Sequence, residues 1–445
     1  MEHHTLFSIF GIEVSKTFLY WMSIAVFVGT YVMIILEKFF DRVAAALFGG
    51  ALAIFIGIES SEHAWEAIDH NTIFLLLGMM IIVSVLIESG FFSILSIKAL
   101  QITKGKPLNI LLTFTFLTAF LSAFLDNVTT VLFMIPILIG ITRRLKLPPV
   151  PYVIATILAS NIGGTATLIG DPPNIIIGSI GKFTFNDFIV NLAPIVIITH
   201  IIGTIVFTLM MKWKGELEPR ITDEKELEEI IKSEKAEFDV ILMRKGLIVF
   251  GITITLFFLH HALHLEPGTV ALFMASILLL WSGESPEKIF ERVEWTTLMF
   301  FVGLFIVIGG MESTGVFDTL AEFTASLIKD PLSGILVLGP LSAIISGIVD
   351  NIPFTMAMAY VLADFSKDVA FNTEPLWWAL ALGACLGGNL TIIGASANVV
   401  ASGLSAREGY PISFIDFLKT GTPVTIITVV IALLLLYLRY LISGI

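Results

Sequence analysis

Two aspartates fall where the chain is otherwise hydrocarbon-like, and each opens the same pattern. Asp126-Asn127-Val128-Thr129-Thr130 precedes Asn161-Ile162-Gly163-Gly164-Thr165-Ala166-Thr167-Leu168-Ile169-Gly170-Asp171-Pro172-Pro173-Asn174. Asp350-Asn351-Ile352-Pro353-Phe354 precedes Gly387-Gly388-Asn389-Leu390-Thr391-Ile392-Ile393-Gly394-Ala395-Ser396-Ala397-Asn398. Asp126 and Asp350, Gly163 and Gly387, and Asn174 and Asn398 are each 224 residues apart, as are Glu88 and Glu312. One polar, helix-breaking stretch inside apolar sequence could be an accident of packing. Two at one spacing indicate a duplicated site.

The surroundings fix the solvent. The chain is 56% apolar, only 14% charged and has a mean hydropathy of +0.94, against about 25% charged residues in soluble domains. Its apolar runs match the roughly 20 residues that a bilayer-spanning helix needs. The expected class is therefore an all-α polytopic membrane protein. Its partners are the lipid bilayer and a small ion or inorganic solute, with no nucleic acid. The single cysteine, Cys385, excludes a disulfide framework and a thiolate metal cluster within one chain. No cofactor is expected beyond bound Na⁺. The N-terminus is polar up to Lys16 and lacks the pattern of a cleaved targeting peptide.

The pattern predicts spans at 18–36, 43–58, 72–87, 152–181 and 192–211, the fourth interrupted. An interfacial segment at 91–103 and an apolar pair, 108–125 and 128–141, precede the interrupted span. Residues 212–245 read as a charged linker in which Asp223 and Glu226 resemble a capping box. The plan then repeats with 246–262, 267–281 and 296–311, an interfacial segment at 316–328, an apolar pair meeting at Asp350, an interrupted span 376–405 and a last span 421–441. The domains are thus 1–211, the linker 212–245, and 246–445. With each apolar pair taken as a re-entrant hairpin and the N-terminus outside, 20 of the 25 basic residues fall inside, a strong positive-inside signal. It predicts a multi-pass cell (inner) membrane protein with both termini outside and the linker cytoplasmic. Five spans per half is an odd number, so the repeat becomes an inverted repeat of two five-span halves, each with a re-entrant hairpin and a broken helix. The hairpin tips are expected to meet near the midplane.

An ionised aspartate in hydrocarbon costs at least about 2.5–3.5 kcal/mol, so Asp126 and Asp350 must pair, protonate, bind a cation or face water. The paired glycines let the backbone leave the helix, and Pro172-Pro173 ends the helix before it. The freed carbonyls are expected to coordinate a cation, and the half-helix beginning near Asn174 points its N–H groups at the same region. Thr129, Thr130, Thr165, Thr167, Asn389, Thr391 and Ser396 add hard neutral oxygens of the kind Na⁺ prefers. With Asn127, Asn161, Gly163, Gly164, Asp171, Asn174, Asn351 and Asn398 they make the candidate cage, with Na⁺ expected at Asp126, Asn127, Asp350 and Asn351.

These motifs resemble the ion transporter superfamily. The similarity is greatest to the branch with a citrate-transporter-like domain that holds arsenical pump membrane proteins, the P protein and sodium/proton antiporters. The resemblance covers nearly the whole chain. It implies a scaffold and a moving transport domain, cation sites at hairpin tips and helix breaks, and a homodimer. An arsenical pump would also imply a soluble ATPase partner. One departure stands out. Dicarboxylate carriers of the superfamily have Ser-Asn-Thr at each tip, where this chain has Asp126-Asn127-Val128 and Asp350-Asn351-Ile352. Neither intramembrane motif contains Lys or Arg, which argues against a di- or trianionic substrate unless Na⁺ or protons neutralise the site first.

The expected function is a secondary active, H⁺- or Na⁺-coupled transporter working by alternating access. Arsenite/antimonite export and Na⁺/H⁺ exchange fit the site best, and a carboxylate or inorganic anion carrier is the alternative. An intramembrane di-aspartyl protease is a reading from another class, but neither Asp has the Gly-x-Gly-Asp context such enzymes show. A passive channel is a third. Plainer roles compete at single residues: Asp126 and Asp350 as structural carboxylates, Asp171 as a helix cap, and Glu88 and Glu312 as snorkelling span ends. His260, His261 and His264 read as a solvated helix terminus, and Cys385 as packing.

Overall fold

The computed structural model describes residues 7–9, 12–36, 39–219 and 238–443. They are helical apart from connections, two 3₁₀ turns and one short strand pair, in which Phe7–Ile9 runs antiparallel to Ile12–Val14. That pair is a small departure from the all-α expectation, confined to the polar N-terminus. Six of the ten expected spans are single long helices: Lys16–Ile35, His70–Glu88, Ala193–Trp213, Val240–Leu259, Trp295–Ser313 and Phe414–Ser443. Two others, Arg42–Phe55 and Pro267–Ser282, have only 14 and 16 residues. At about 1.5 Å per residue these are shorter than the roughly 30 Å hydrocarbon layer. Among the described residues seven helices are long and apolar enough to cross, or eight if the bent pair Val316–Leu327 and Pro331–Ser346 is one span. The seventh is Asn127–Arg144, an arm of the first hairpin.

The first hairpin consists of Pro107–Ser122 and Asn127–Arg144, and the second of Pro331–Ser346 and Asn351–Asp368. Interfacial helices Phe91–Thr103 and Val316–Leu327 lead into them, the latter bending by 117° onto Pro331–Ser346. Proline at the first position starts both hairpins, where its missing N–H costs nothing. The first broken span is Pro149–Gly164 followed by Pro172–Gly181. The second is Glu374–Gly387, two 3₁₀ turns, and Ser396–Arg407. The linker is shorter than its charge suggested. Asp239 caps a helix that begins at Val240, accepting from Ile241 N (2.8 Å) and Leu242 N (3.0 Å). Residues 240–245 therefore belong to the span, and Lys245 reaches back to the Ser282 carbonyl (3.2 Å). The capping box expected at Asp223 and Glu226 lies outside the described residues.

The halves exchange helices. His70–Glu88 packs on Val240–Leu259 and Pro267–Ser282, while Trp295–Ser313 packs on Lys16–Ile35 and Arg42–Phe55. Each hairpin lies against the broken span of its own half. Its second arm also lies against the second piece of the other half's broken span: 127–144 on 396–407, and 351–368 on 172–181. The close approach depends on glycine. A Cβ at Gly163 would sit 2.2 Å from the Ala119 carbonyl oxygen, and one at Gly387 would sit 2.4 Å from that of Ala343.

The hydrogen bonds repeat as well. Ser122 Oγ donates to Ser160 O (2.7 Å), and Ser346 Oγ to Ala384 O (2.5 Å). Thr167 Oγ1 bonds the Ala123 carbonyl, and Thr391 Oγ1 the Gly347 carbonyl (2.6 Å). Every donor and acceptor has its counterpart 224 residues on, so the duplication read from the motifs is a duplicated framework.

Candidate ion and solute site

Asp126 and Asp350 are the N-caps of the second hairpin arms. Asp126 accepts from Thr129 N (2.9 Å) and bonds the Thr129 hydroxyl, while Asp350 accepts from Ile352 N (3.0 Å). Capping satisfies helix N–H groups that would otherwise be orphaned in an apolar layer. The two aspartates are thus structural in part; Asp126 spends both carboxylate oxygens on Thr129, whereas Asp350 keeps Oδ2 for partners outside the cap.

Each tip is hydrogen-bonded to a residue of the first broken span. Asn127 Nδ2 donates to Asn161 Oδ1 (3.1 Å), and Asn161 Nδ2 donates to the Oδ1 atoms of Asn389 and Asn398 (both 2.8 Å). Asn389 Nδ2 continues to the Leu158 carbonyl (3.2 Å). On the other side Asn351 Nδ2 approaches Asp171 Oδ1 (3.4 Å). A chain of amides that starts at the first tip thus crosses the repeat interface, and the second tip reaches across it to Asp171.

Two further expectations are corrected here. The freed carbonyls do not stand open for a cation, because the asparagines that follow each break hold them. Asn174 Nδ2 reaches Gly164 O (3.4 Å), Thr165 O (3.1 Å) and Thr167 O (2.8 Å). Asn398 Nδ2 reaches Gly388 O (2.7 Å) and Thr391 O (2.8 Å). A buried carbonyl without a donor is costly, and an amide supplied by the next half-helix answers two or three at once. Thr130 and Thr165 likewise spend their hydroxyls on carbonyls four residues back. Asp171, for its part, makes no side-chain cap of Pro172–Gly181. It is fully buried, its Oδ2 has no hydrogen-bond partner, and it lies in the fields of Asp350 and Asp126. Asn127 Oδ1 is likewise buried without a donor.

The structure also adds residues that the motifs did not contain. Arg42, taken from sequence as a loop charge, donates from Nη1 to Asp350 Oδ2 (3.2 Å) and Ser396 Oγ (2.6 Å). Ser396 Oγ donates to the same Asp350 oxygen (2.9 Å). The Phe300 ring lies 5.6 Å from this guanidinium. Glu294 stands within the electrostatic reach of Asp126 and Arg42, with Oε1 buried and unpartnered. Tyr31 donates to the Pro353 carbonyl (2.5 Å). Cys385 is the repeat counterpart of Asn161 and is buried beside Asn174 Oδ1 (3.6 Å).

Charges elsewhere are more tied down than expected. Glu88 pairs with Lys288 (2.5 Å) and Arg292 (2.7 Å) rather than snorkelling alone, whereas Glu312 is exposed. His260 is buried, receives the Phe185 N–H (3.2 Å) and sets its other ring nitrogen against the Leu265 carbonyl (3.1 Å). It is a strut, unlike the exposed His261 and His264. All three border a polar cavity of about 780 Å³ that also touches His70, Lys182 and Glu266 and reaches down to Leu168 and Ile175. Among the described residues no three His, Cys, Asp or Glu side chains are grouped to hold a metal ion.

The same elements recur in known proteins. The profile described as "Citrate transporter" matches residues 31–383. The chain belongs to this citrate transporter family. Its fold and motifs place it in the ion transporter superfamily, and it is a membrane-embedded transporter. It is 40% identical over 432 residues to a 46 kDa membrane protein of Mycobacterium leprae, covering 95% of this chain and 99% of that one. It is 33% identical over 506 residues to the human P protein, covering 95% of this chain but 60% of the P protein. A crystal structure of the Alcanivorax borkumensis YdaH transporter has the same fold, with a TM-score of 0.56 at 13% identity over 96% of this chain and 98% of that one.

Proposed function

We propose that the chain is a secondary active transporter, coupled to H⁺ or Na⁺, that moves a small inorganic solute by alternating access. The observation that carries this reading is the charge balance of the cage. Among the described residues the carboxylates there are Asp126, Asp171, Asp350 and Glu294, and the guanidinium paired with one of them is that of Arg42, on Asp350. The remaining polar groups named there are neutral amides and hydroxyls. Such a site attracts protons or Na⁺ and tolerates a neutral or cationic solute, which favours Na⁺/H⁺ exchange or export of arsenite or antimonite as the neutral hydroxide. Competition between Na⁺ and H⁺ for one carboxylate is the least that coupling requires.

Inversion of the halves belongs to the same proposal. The first broken span begins on the side where arm 127–144 ends, because only residues 145–148 join them. Arm 127–144 packs along 396–407, the last piece of the second broken span. The basic residues that fall on one side support both termini outside and the linker cytoplasmic in a cell membrane. Labelling a cysteine introduced at Ser233 only from the inner face is the expected check.

Arg42 also favours a second reading, a carboxylate carrier. Its guanidinium stands beside the free N-terminus of Ser396–Arg407, a pairing suited to an anion. The anion would have to displace Asp350 from Arg42. The deciding experiment is flux into proteoliposomes under imposed pH or Na⁺ gradients. Asp126→Asn and Asp350→Asn are expected to insert and fold, yet lose gradient-driven transport. Wild-type flux in both variants would refute the coupling role, and Na⁺-dependent citrate uptake would select the carrier of anions.

A further inference from the structure

Arg42 sits at the first position of its helix, the end at which a positive charge is disfavoured by the helix dipole. Asp41 caps that helix through Val43 N (2.9 Å) and Ala44 N (3.0 Å), so helix initiation does not need Arg42. The side chain is committed instead to Asp350 and Ser396, and both atoms it bonds belong to the other half of the molecule. Two further features surround this contact. A void of about 20 Å³ adjoins Arg42 and Asp350, bordered by Ile34, Ile348, Val349 and Ile393, large enough for one water-sized occupant. Glu294 is the N-cap of the helix Trp295–Ser313, which packs on Arg42–Phe55. It accepts from the Thr297 hydroxyl with one carboxylate oxygen (3.1 Å) and keeps the other buried with no donor. A guanidinium has five N–H donors in a planar fork, and Nη1 alone makes the bonds to Asp350 and Ser396.

We propose that Arg42 is a tethered cation that holds Asp350 while the coupling ion is absent and transfers to Glu294 when that ion occupies Asp350. The proposal rests on the cation-coupled reading above and gives it a mechanism of exchange. Asp350 cannot keep a guanidinium and a small cation on the same oxygen without strong repulsion. The arriving ion therefore replaces Arg42, and the displaced charge needs an acceptor in the same low-dielectric region. Glu294 supplies it. The charged or titratable groups that share this field are Asp41, Asp126, Asp171 and Tyr31. A tethered competitor lowers apparent affinity by the fraction of time it holds the site. Its removal tightens ion binding, and removal of its alternative acceptor weakens it.

The test uses the purified full-length protein, titrated with Na⁺ at fixed pH and with protons in Na⁺-free buffer. The readouts are ion-induced thermal shift and gradient-driven flux in proteoliposomes. For whichever ion drives flux, Arg42→Gln is expected to lower the half-saturating concentration about tenfold. Arg42→Lys keeps the charge and should stay within about threefold of wild type. Glu294→Gln is expected to raise the half-saturating concentration about threefold or more, the opposite direction. An unchanged or raised value in Arg42→Gln, or an unchanged or lowered one in Glu294→Gln, overturns the proposal. Should Arg42→Gln fail to fold, the Glu294→Gln and Arg42→Lys titrations decide it. Asp350→Asn separates the two levels: if it keeps wild-type ion dependence, the cation-coupled reading itself fails, and if it abolishes that dependence while the other variants change nothing, only the exchange with Arg42 is lost.

Discussion

At the first break the chain places Asp171, buried and with one oxygen unanswered. At the equivalent point of the second break it places Ala395, equally buried and incapable of ionising. Asn161, which binds three other asparagines, corresponds in the second half to Cys385. Around these unequal residues the serine, threonine and asparagine bonds to backbone are the same in both halves. The comparison separates two kinds of constraint. Groups that answer the carbonyls of a broken helix must recur wherever the helix breaks, because the penalty for an unanswered carbonyl is the same in both places. Groups that face the interior of the cage answer to its cargo, and one cage needs only one set.

The largest test of this division is Asn161→Leu set against Cys385→Ala. The leucine leaves buried groups of Asn127, Asn389 and Asn398 without partners, each costing about 1–3 kcal/mol. A total loss above about 3 kcal/mol is expected, against about 1 kcal/mol or less for Cys385→Ala. Melting in detergent reads both, and equal losses would break the comparison. Next come Gly163→Ala and Gly387→Ala, which probe the shared frame. Each drives a methyl into a carbonyl oxygen of the adjoining hairpin, for about 1–3 kcal/mol apiece. Here the halves should agree, and a difference above about 1.5 kcal/mol would show that the frame is not equivalent.

The smallest effect lies at the hairpin entrances. Asp330 opens the second hairpin with a capping box shared with Ser333, while its counterpart Lys106 opens the first with no side-chain cap. The Ser333 backbone N–H, aided by its hydroxyl, holds the Asp330 carboxyl below its ordinary value of 3.8. Asp330→Ala should cost about 1 kcal/mol at neutral pH, and Lys106→Ala close to nothing. A group with a lowered native pKa stabilises above its ordinary value and loses that contribution as pH falls through the native one. The gap between wild type and Asp330→Ala should therefore close below about pH 4. A gap that persists in acid would place the effect outside the cap.

Much of this was legible in the chain. The motifs revealed the duplicated breaks, the hairpins and most of the cage residues, because glycine, proline and asparagine inside apolar sequence have few structural meanings. Arg42 and Glu294 were not legible. Charges beside an apolar run read as loop residues. No local pattern links Arg42 to an aspartate 308 residues away. The fate of the freed carbonyls was hidden for another reason. Pattern shows that a helix breaks, but the amide that then holds each carbonyl lies 7 to 10 residues further on, at a distance that only folding closes.

Asn174 and Asn398 have a mechanical consequence. An amide that grips the carbonyls on the near side of a break turns the break into a welded elbow. The serine bonds rivet each elbow to its hairpin, so bending at the glycines would tear several hydrogen bonds in a medium that offers no substitutes. Displacement is cheaper at the seam with the other helices, where the polar fastenings at the second tip are Arg42 to Asp350 and Tyr31 to Pro353. The parts that look most pliable in the sequence are thus the stiff members, and any movement of the second hairpin would first have to unhook those latches.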